Sequence, residues 1–269
     1  RCRGSSCSSS AAWLRADWAS SFDRCDAALA VYTRECRGVA WETATSRIYA
    51  LSSLALMGRF GELGRRLPEA LNEAEANGDR FALGGYSVGQ HGLHWVASGR
   101  LDAWQALAER ARSTWLPGSF HLQRYSHLVA ATQADLARGD GWGAFQRIES
   151  EWPALEAAQF LRLEVPGVEL LQLRARAALA CAGRMTSIAR NGWTRVRLLT
   201  LADDAASRIA RCPLTFAAPT AALLRAGHGL RAGRPDLARV EFARARDGFA
   251  NAGMAAHRAM LTWELDALD

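Results

Sequence analysis

The string Gly85-Tyr86-Ser87-Val88-Gly89 has the G-x-S-x-G form that, in an α/β-hydrolase, lifts a nucleophilic serine onto a strand-to-helix elbow. Asp135 or Asp203 with His228 or His257 follow in the chain order such a triad uses. The elbow needs a β-strand directly before Gly85, and only Phe81-Ala82-Leu83 stands between it and the turn-forming Asn77-Gly78-Asp79. Elsewhere the chain lacks the alternating strands and helices that build a parallel sheet. A serine hydrolase centred on Ser87 is therefore the alternative reading, against a structural one. Gly85, Gly89 and Gly92 are spaced i, i+4, i+7, which places them on one face of a helix where a neighbour approaches closely. Each interior Gly costs roughly 1 kcal/mol against Ala, so this helix is expected to depend on packing and to open first.

His91 and His94 stand at i, i+3 on the same helix, and His121 and His127 follow in the next unit. A zinc site would need a third ligand and partners that orient the rings. No carboxylate sits at ligand spacing from the pair and there is no Cys-x-x-Cys, so packing or groove-lining histidines are expected, with no metal and no cofactor.

All 33 basic residues of the 269 are Arg; Lys does not occur. A Walker-type phosphate loop, a kinase third-strand lysine and a pyridoxal Schiff base each need that residue, so none is complete in this chain. The Arg bias with few Ile and Asn also reads as the signature of a GC-rich genome. Net charge is +6, and all of it lies between Arg174 and Arg211, which hold eight Arg and two Asp while 25 Arg and 25 acids elsewhere cancel. With Asn191-Gly192 and Trp193 inside, this stretch reads as a basic patch (Arg190, Trp193, Arg195, Arg197) open to an acidic partner or a neighbouring domain. The bland reading is a solvated Arg-rich helix end. Nucleic acid is disfavoured because no recognised binding motif accompanies the charge.

Ala and Leu dominate the composition, so the elements positioning these residues are helices. Ala16-Asp17, Gly58-Arg59, Gly99-Arg100, Gly139-Asp140, Gly183-Arg184 and Gly233-Arg234 each lie between a pair of helix-like stretches, at intervals of 40 to 44 residues with a last one of 50. Second helices should begin near Trp18, Phe60, Leu101, Trp142 and Pro235. A period near 40 with two helices per unit is the mark of a helical solenoid. Two residues after each boundary stand Trp18, Phe60, Leu101 and Pro235, and twelve after it Ala28, Ala70, Ala111 and Ala245; Gly141 and Glu151 break the pattern in the fourth unit. Gly92 and Trp95 precede Gly99 by seven and four residues. These positions resemble tetratricopeptide repeats, whose small residue lets adjacent helices close up.

Four segments carry a further resemblance: Cys36 to Glu42 (CRGVAWE), Leu67 to Asp79 (LPEALNEAEANGD), Glu151 to Leu155 (EWPAL) and Ala217 to Gly227 (AAPTAALLRAG). They are similar to the C-terminal helical region of large bacterial, notably myxobacterial, serine/threonine kinases, in which a kinase and a signal-transduction ATPase domain precede the repeats. The resemblance implies a regulatory or scaffolding module and carries over no catalytic residue.

The expectation is an all-α chain, one right-handed α-solenoid of about six tetratricopeptide-like helix pairs over residues 1–269, with a frayed terminus at 1–12 and a basic insertion at 184–197. Its expected function is non-catalytic protein or peptide binding in a signalling assembly, with partners that include neighbouring kinase or ATPase domains. A small-molecule-sensing or nucleic-acid-contacting regulatory repeat domain is a further alternative. Tyr86, Gln90, His94, Arg124 and His127 are expected on the concave binding face. Of ten Trp, Trp18, Trp95, Trp104 and Trp142 are assigned to the core, and Trp41, Trp115, Trp152 and Trp193 lie near helix ends where a binding edge can form. The six scattered Cys are expected as reduced thiols, and with no apolar run of 18 residues and no signal-peptide pattern the chain is expected in the cytoplasm, off the membrane.

Overall fold

The structure, a computed structural model, describes residues 5–113, 121–185 and 188–266, with side chains from Ser10 onward. Among the described residues it is all-α, with fourteen α-helices and no strand. The chain divides into two compact units, Arg1–Ala130 and Ala131–Asp269.

The first unit contains α1 (Ser5–Leu14), α2 (Trp18–Glu35), α3 (Ala40–Met57), α4 (Phe60–Ala76), α5 (Arg80–Ser87), a 3-10 turn at Gln90–Gly92, α6 (Leu93–Ala97), α7 (Leu101–Arg112) and the start of α8 (Leu122–Ala137). Consecutive helices pack: α1 on α2, α2 on α3, α3 on α4, α4 on α5, and α6 on α7. The second unit holds the end of α8, then α9 (Gly141–Ala157), α10 (Glu164–Arg184), α11 (Arg195–Ile209), α12 (Ala217–Arg231), α13 (Pro235–Asn251) and α14 (Ala255–Asp266). Here α9 to α14 pack each on the next, and α10 also meets α12. Within each unit this packing of consecutive helices is consistent with a helical repeat.

One local device makes most of the connections. At Ala16, Gly58, Gly78, Gly99, Gly139, Gly233 and Gly253 the backbone turns left-handed, with φ between 60° and 76°. At each, that residue's N–H donates to the carbonyl three back, and the next residue's N–H donates to the carbonyl five back, as in Gly58 to Ala55 (3.1 Å) and Arg59 to Leu54 (2.9 Å). This is the Schellman closure, which satisfies carbonyls a helix end leaves open. Where Asp follows, it also caps the next helix: Asp17 accepts from Ser20 N–H at 3.1 Å, Asp79 from Ala82 at 2.9 Å and Asp140 from Gly143 at 2.8 Å. Two residues thus end one helix and start another. That is why the second helices begin at Trp18, Phe60, Leu101 and Pro235 as expected, and at Gly141, one residue before Trp142.

Ala16 occupies the left-handed position with a Cβ, at φ 60°. Ala16→Gly is expected to stabilise the chain by about 1 kcal/mol, the relief of that steric cost net of the extra freedom glycine gives the unfolded state. The measurement is the denaturant midpoint, and no gain would mean that the turn is unstrained.

Gly183 differs from the other boundary glycines. It stays helical inside α10, and a Cβ there would lie 2.6 Å from the Arg231 guanidinium carbon. The helix boundary expected at Gly183-Arg184 is present, since α10 ends at Arg184, but it is made without the left-handed turn of the other boundaries.

The small residues twelve after each boundary are all buried: Ala28 3%, Ala70 2%, Ala111 1% and Ala245 0% exposed. The misfit at Gly141 has its own cause. A Cβ there would stand 2.7 Å from the Ala180 Cβ and 3.2 Å from its carbonyl carbon, and the Cys181 thiol donates to the Gly141 carbonyl at 3.1 Å. Gly141→Ala is therefore expected to destabilise by about 1–3 kcal/mol, since backbone must move. Gly61→Ala, with nothing within 4 Å of its Cβ on exposed helix surface, should instead gain up to about 1 kcal/mol. Parallel denaturant titrations check both signs.

Cys36 is disulfide-bonded, whereas Cys25, Cys181 and Cys212 are in no disulfide. This corrects the expectation of six reduced thiols. Among the described residues no helix is long and apolar enough to cross a membrane.

Candidate functional site

The G-x-S-x-G string does not form an elbow. Its serine closes a helix, α5, and no strand precedes it. Ser87 is fully buried and its hydroxyl donates to the Leu83 carbonyl at 2.6 Å, while the Ser87 carbonyl accepts from Trp104 Nε1 at 2.9 Å. The helix expected across Gly85, Gly89 and Gly92 is broken: Gly89 takes φ 103°, and its N–H donates to the Ser126 carbonyl on α8 at 3.2 Å. Leaving the helix there costs a glycine little.

The break redistributes the residues expected on an open face. Tyr86 is 1% exposed, its ring 6.0 Å below the Arg47 guanidinium, which pairs with Glu73 at 2.8 Å. Burial takes Tyr86 off the open face. Half-buried Gln90 lies on the 3-10 turn, and His94 packs on α4 beside Gly64, whose missing Cβ leaves 3.0 Å to the imidazole. Half-buried His127 stacks on Trp104 at 6.4 Å, and Arg124, also half-buried, donates its backbone N–H to His121 Nδ1 at 3.3 Å. His91 is buried with Nδ1 3.4 Å from Ser52 Oγ, and loss of solvent lowers its pKa to about 4, so it is neutral. No group of three metal-ligating side chains occurs among the described residues.

The basic stretch is organised by aromatic rings. Arg190 and Trp193 exchange two backbone hydrogen bonds of 2.9 Å around Asn191 (φ 48°) and Gly192 (φ 77°). Positive φ at both central residues is the mirror-image hairpin turn that Asn-Gly favours. The turn puts Trp193 edge-on against Phe145 of α9 at 4.9 Å, with Arg197 over the Trp193 ring at 4.9 Å and Arg190 over Trp142 at 4.5 Å. Arg197 also donates to the Gly192 carbonyl at 2.6 Å. Arg195 donates to the carbonyls of Ala182 (3.3 Å) and Arg231, so it braces the ends of α10 and α12. Two of the four patch residues are thus cations held over rings, one is the ring beneath Arg197, and Arg195 is a structural brace.

Beside the hairpin, a groove of about 730 Å³ runs between α10 and α11. Arg174 on its α10 wall pairs with Glu149 and stacks 4.0 Å over Trp152. Trp152 itself is inside α9 and 7% exposed, which corrects its expected place at a binding edge; Trp41 is 58% exposed and Trp115 lies outside the described residues. Sequence reasoning marked the charge of Arg208 and Arg211 but not that they line one groove with Arg197; the spacing of Arg197 and Arg208 along α11 carried that signal. Comparison with family models, curated proteins and solved structures finds no match to this chain.

Proposed function

We propose that this chain is a non-catalytic binding module, a tetratricopeptide-like right-handed solenoid that holds a protein or peptide segment in a regulatory or scaffolding role. The observation that supports this most is the recurrence of one helix-to-helix connector at seven boundaries, with a buried alanine at the same place in four second helices. Stacked units of this kind leave extended surfaces between helices for partner segments. The resemblance to the repeat region of bacterial serine/threonine kinases makes a cytoplasmic signalling assembly, with kinase or ATPase domains alongside, the context we propose. Burial of Ser87 and its hydroxyl's bond to its own helix favour this reading over the hydrolase.

The test is random-peptide display on the full chain. Enrichment of a shared motif, with saturable binding of the synthetic peptide, supports the reading; no enrichment overturns it. Labelling of Ser87 by a fluorophosphonate would do so in favour of the hydrolase.

A further inference from the structure

The groove between α10 and α11 has a charge pattern specific enough to describe an occupant. Arg197, Leu201, Asp204 and Arg208 are spaced four, three and four residues apart, so they form one stripe along α11, and Arg211 follows in the turn just past its end. All five line the groove. Arg197 is fixed at one end by the Trp193 ring and the Gly192 carbonyl. Arg208 and Arg211 are exposed at the other end, and neither side chain has a hydrogen-bond or ion-pair partner among the described residues. Asp204, the only acid in the lining, stands between the two ends. Arg208 lies eleven positions beyond Arg197 along the helix, a rise of about 16.5 Å at 1.5 Å per residue.

We propose that this groove docks an amphipathic helical segment of a partner protein, with acidic residues at two places about three turns apart and a neutral or basic residue between them. This deepens the peptide-binding reading and rests on it. A helix lying along α11 repeats at the same pitch, so carboxylates at i and i+11 meet the two cationic ends together. Its apolar side faces Leu171, Leu201 and the exposed Val196. A nucleic acid fits less well. The Trp193 ring is half-buried against Phe145 with Arg197 already over it, which makes it a poor platform for a base, and an unbroken row of phosphates would set negative charge against Asp204.

The experiment is fluorescence anisotropy with the full chain and four probes: a helical peptide with Glu pairs about eleven residues apart, the same peptide with Lys in their place, one with its Glu at the centre only, and an oligo-dT strand. The end-Glu peptide should bind about tenfold or more tighter than the other three, and R208E/R211E should erase that preference. Asp204→Asn should raise affinity for the centre-Glu peptide. Equal binding of the Glu and Lys peptides, indifference to R208E/R211E, or tighter binding of oligo-dT overturns the proposal. If peptides selected by display bind the chain without regard to these arginines, the groove assignment fails and the peptide-binding reading stands. If no peptide binds at all, both fail.

Discussion

Phe145→Ala is expected to lower the unfolding free energy by about 3–5 kcal/mol, the usual cost of emptying a large buried aromatic site. Phe145 is 1% exposed and sits among Ala144, Ala177, Ala178, Cys181, Ala182 and Leu198, which are too small or too firmly held in helices to collapse into the space. Its ring is also the support for the basic hairpin, meeting Trp193 at 4.9 Å and Trp142 at 6.0 Å. The loss should therefore appear twice, as a lower urea midpoint and as weaker binding of the end-Glu peptide, because Arg197 is aimed by the Trp193 ring. Phe145→Leu keeps most of the volume and should cost about 1.5 kcal/mol or less. An alanine variant within about 1 kcal/mol of the parent would mean that the site closes on itself.

Acid should destabilise the first unit through His91. The ring is 1% exposed, and its pKa is depressed to about 4 chiefly by desolvation, against a smaller opposing pull from the backbone carbonyls of Tyr86 and Gly85. Unfolding restores the ordinary value near 6.5, so below that pH the unfolded chain takes up a proton that the native chain refuses. This contribution is fully present above pH 6.5 and declines as pH falls toward 4, where it levels off. The gap corresponds to about 3 kcal/mol. His91→Gln removes the titration, so the stability difference between parent and variant should move toward the variant by about 2–3 kcal/mol between pH 7 and pH 4. Parallel pH profiles would show that His91 takes up its proton as readily in the fold as in the unfolded chain. His257 in the second unit is depressed to about 4 in the same sense, by desolvation and then by Arg176, and should add a separate acid-sensitive step.

The helix boundaries were legible because a left-handed residue is a local demand that few side chains meet, so Gly58, Gly99, Gly139 and Gly233 announce themselves. Gly183 looks identical in sequence but stays helical, with the exposed Arg231 side chain from 48 residues away lying over it, which no local pattern reveals. The break at Gly89 was hidden for a related reason. Periodicity places Gly85, Gly89 and Gly92 on one helical face, and only the carbonyl offered by Ser126 from another helix makes leaving the helix favourable. Tyr86 was misplaced along with it. In the basic stretch, composition located the charge, but charge alone does not separate a brace such as Arg195 from the open Arg208 and Arg211.

The seven Schellman turns have a kinetic consequence. Each is closed by bonds spanning at most five residues, so the reversal that brings one helix alongside the next needs no distant region of the chain. Loop-closure entropy is then small at these seven joints, and pairing of the helices across them should be set by short-range encounters between neighbours. The hairpin at Arg190–Trp193 delays the return from α10 to α11, and it is there that a slower step should be sought.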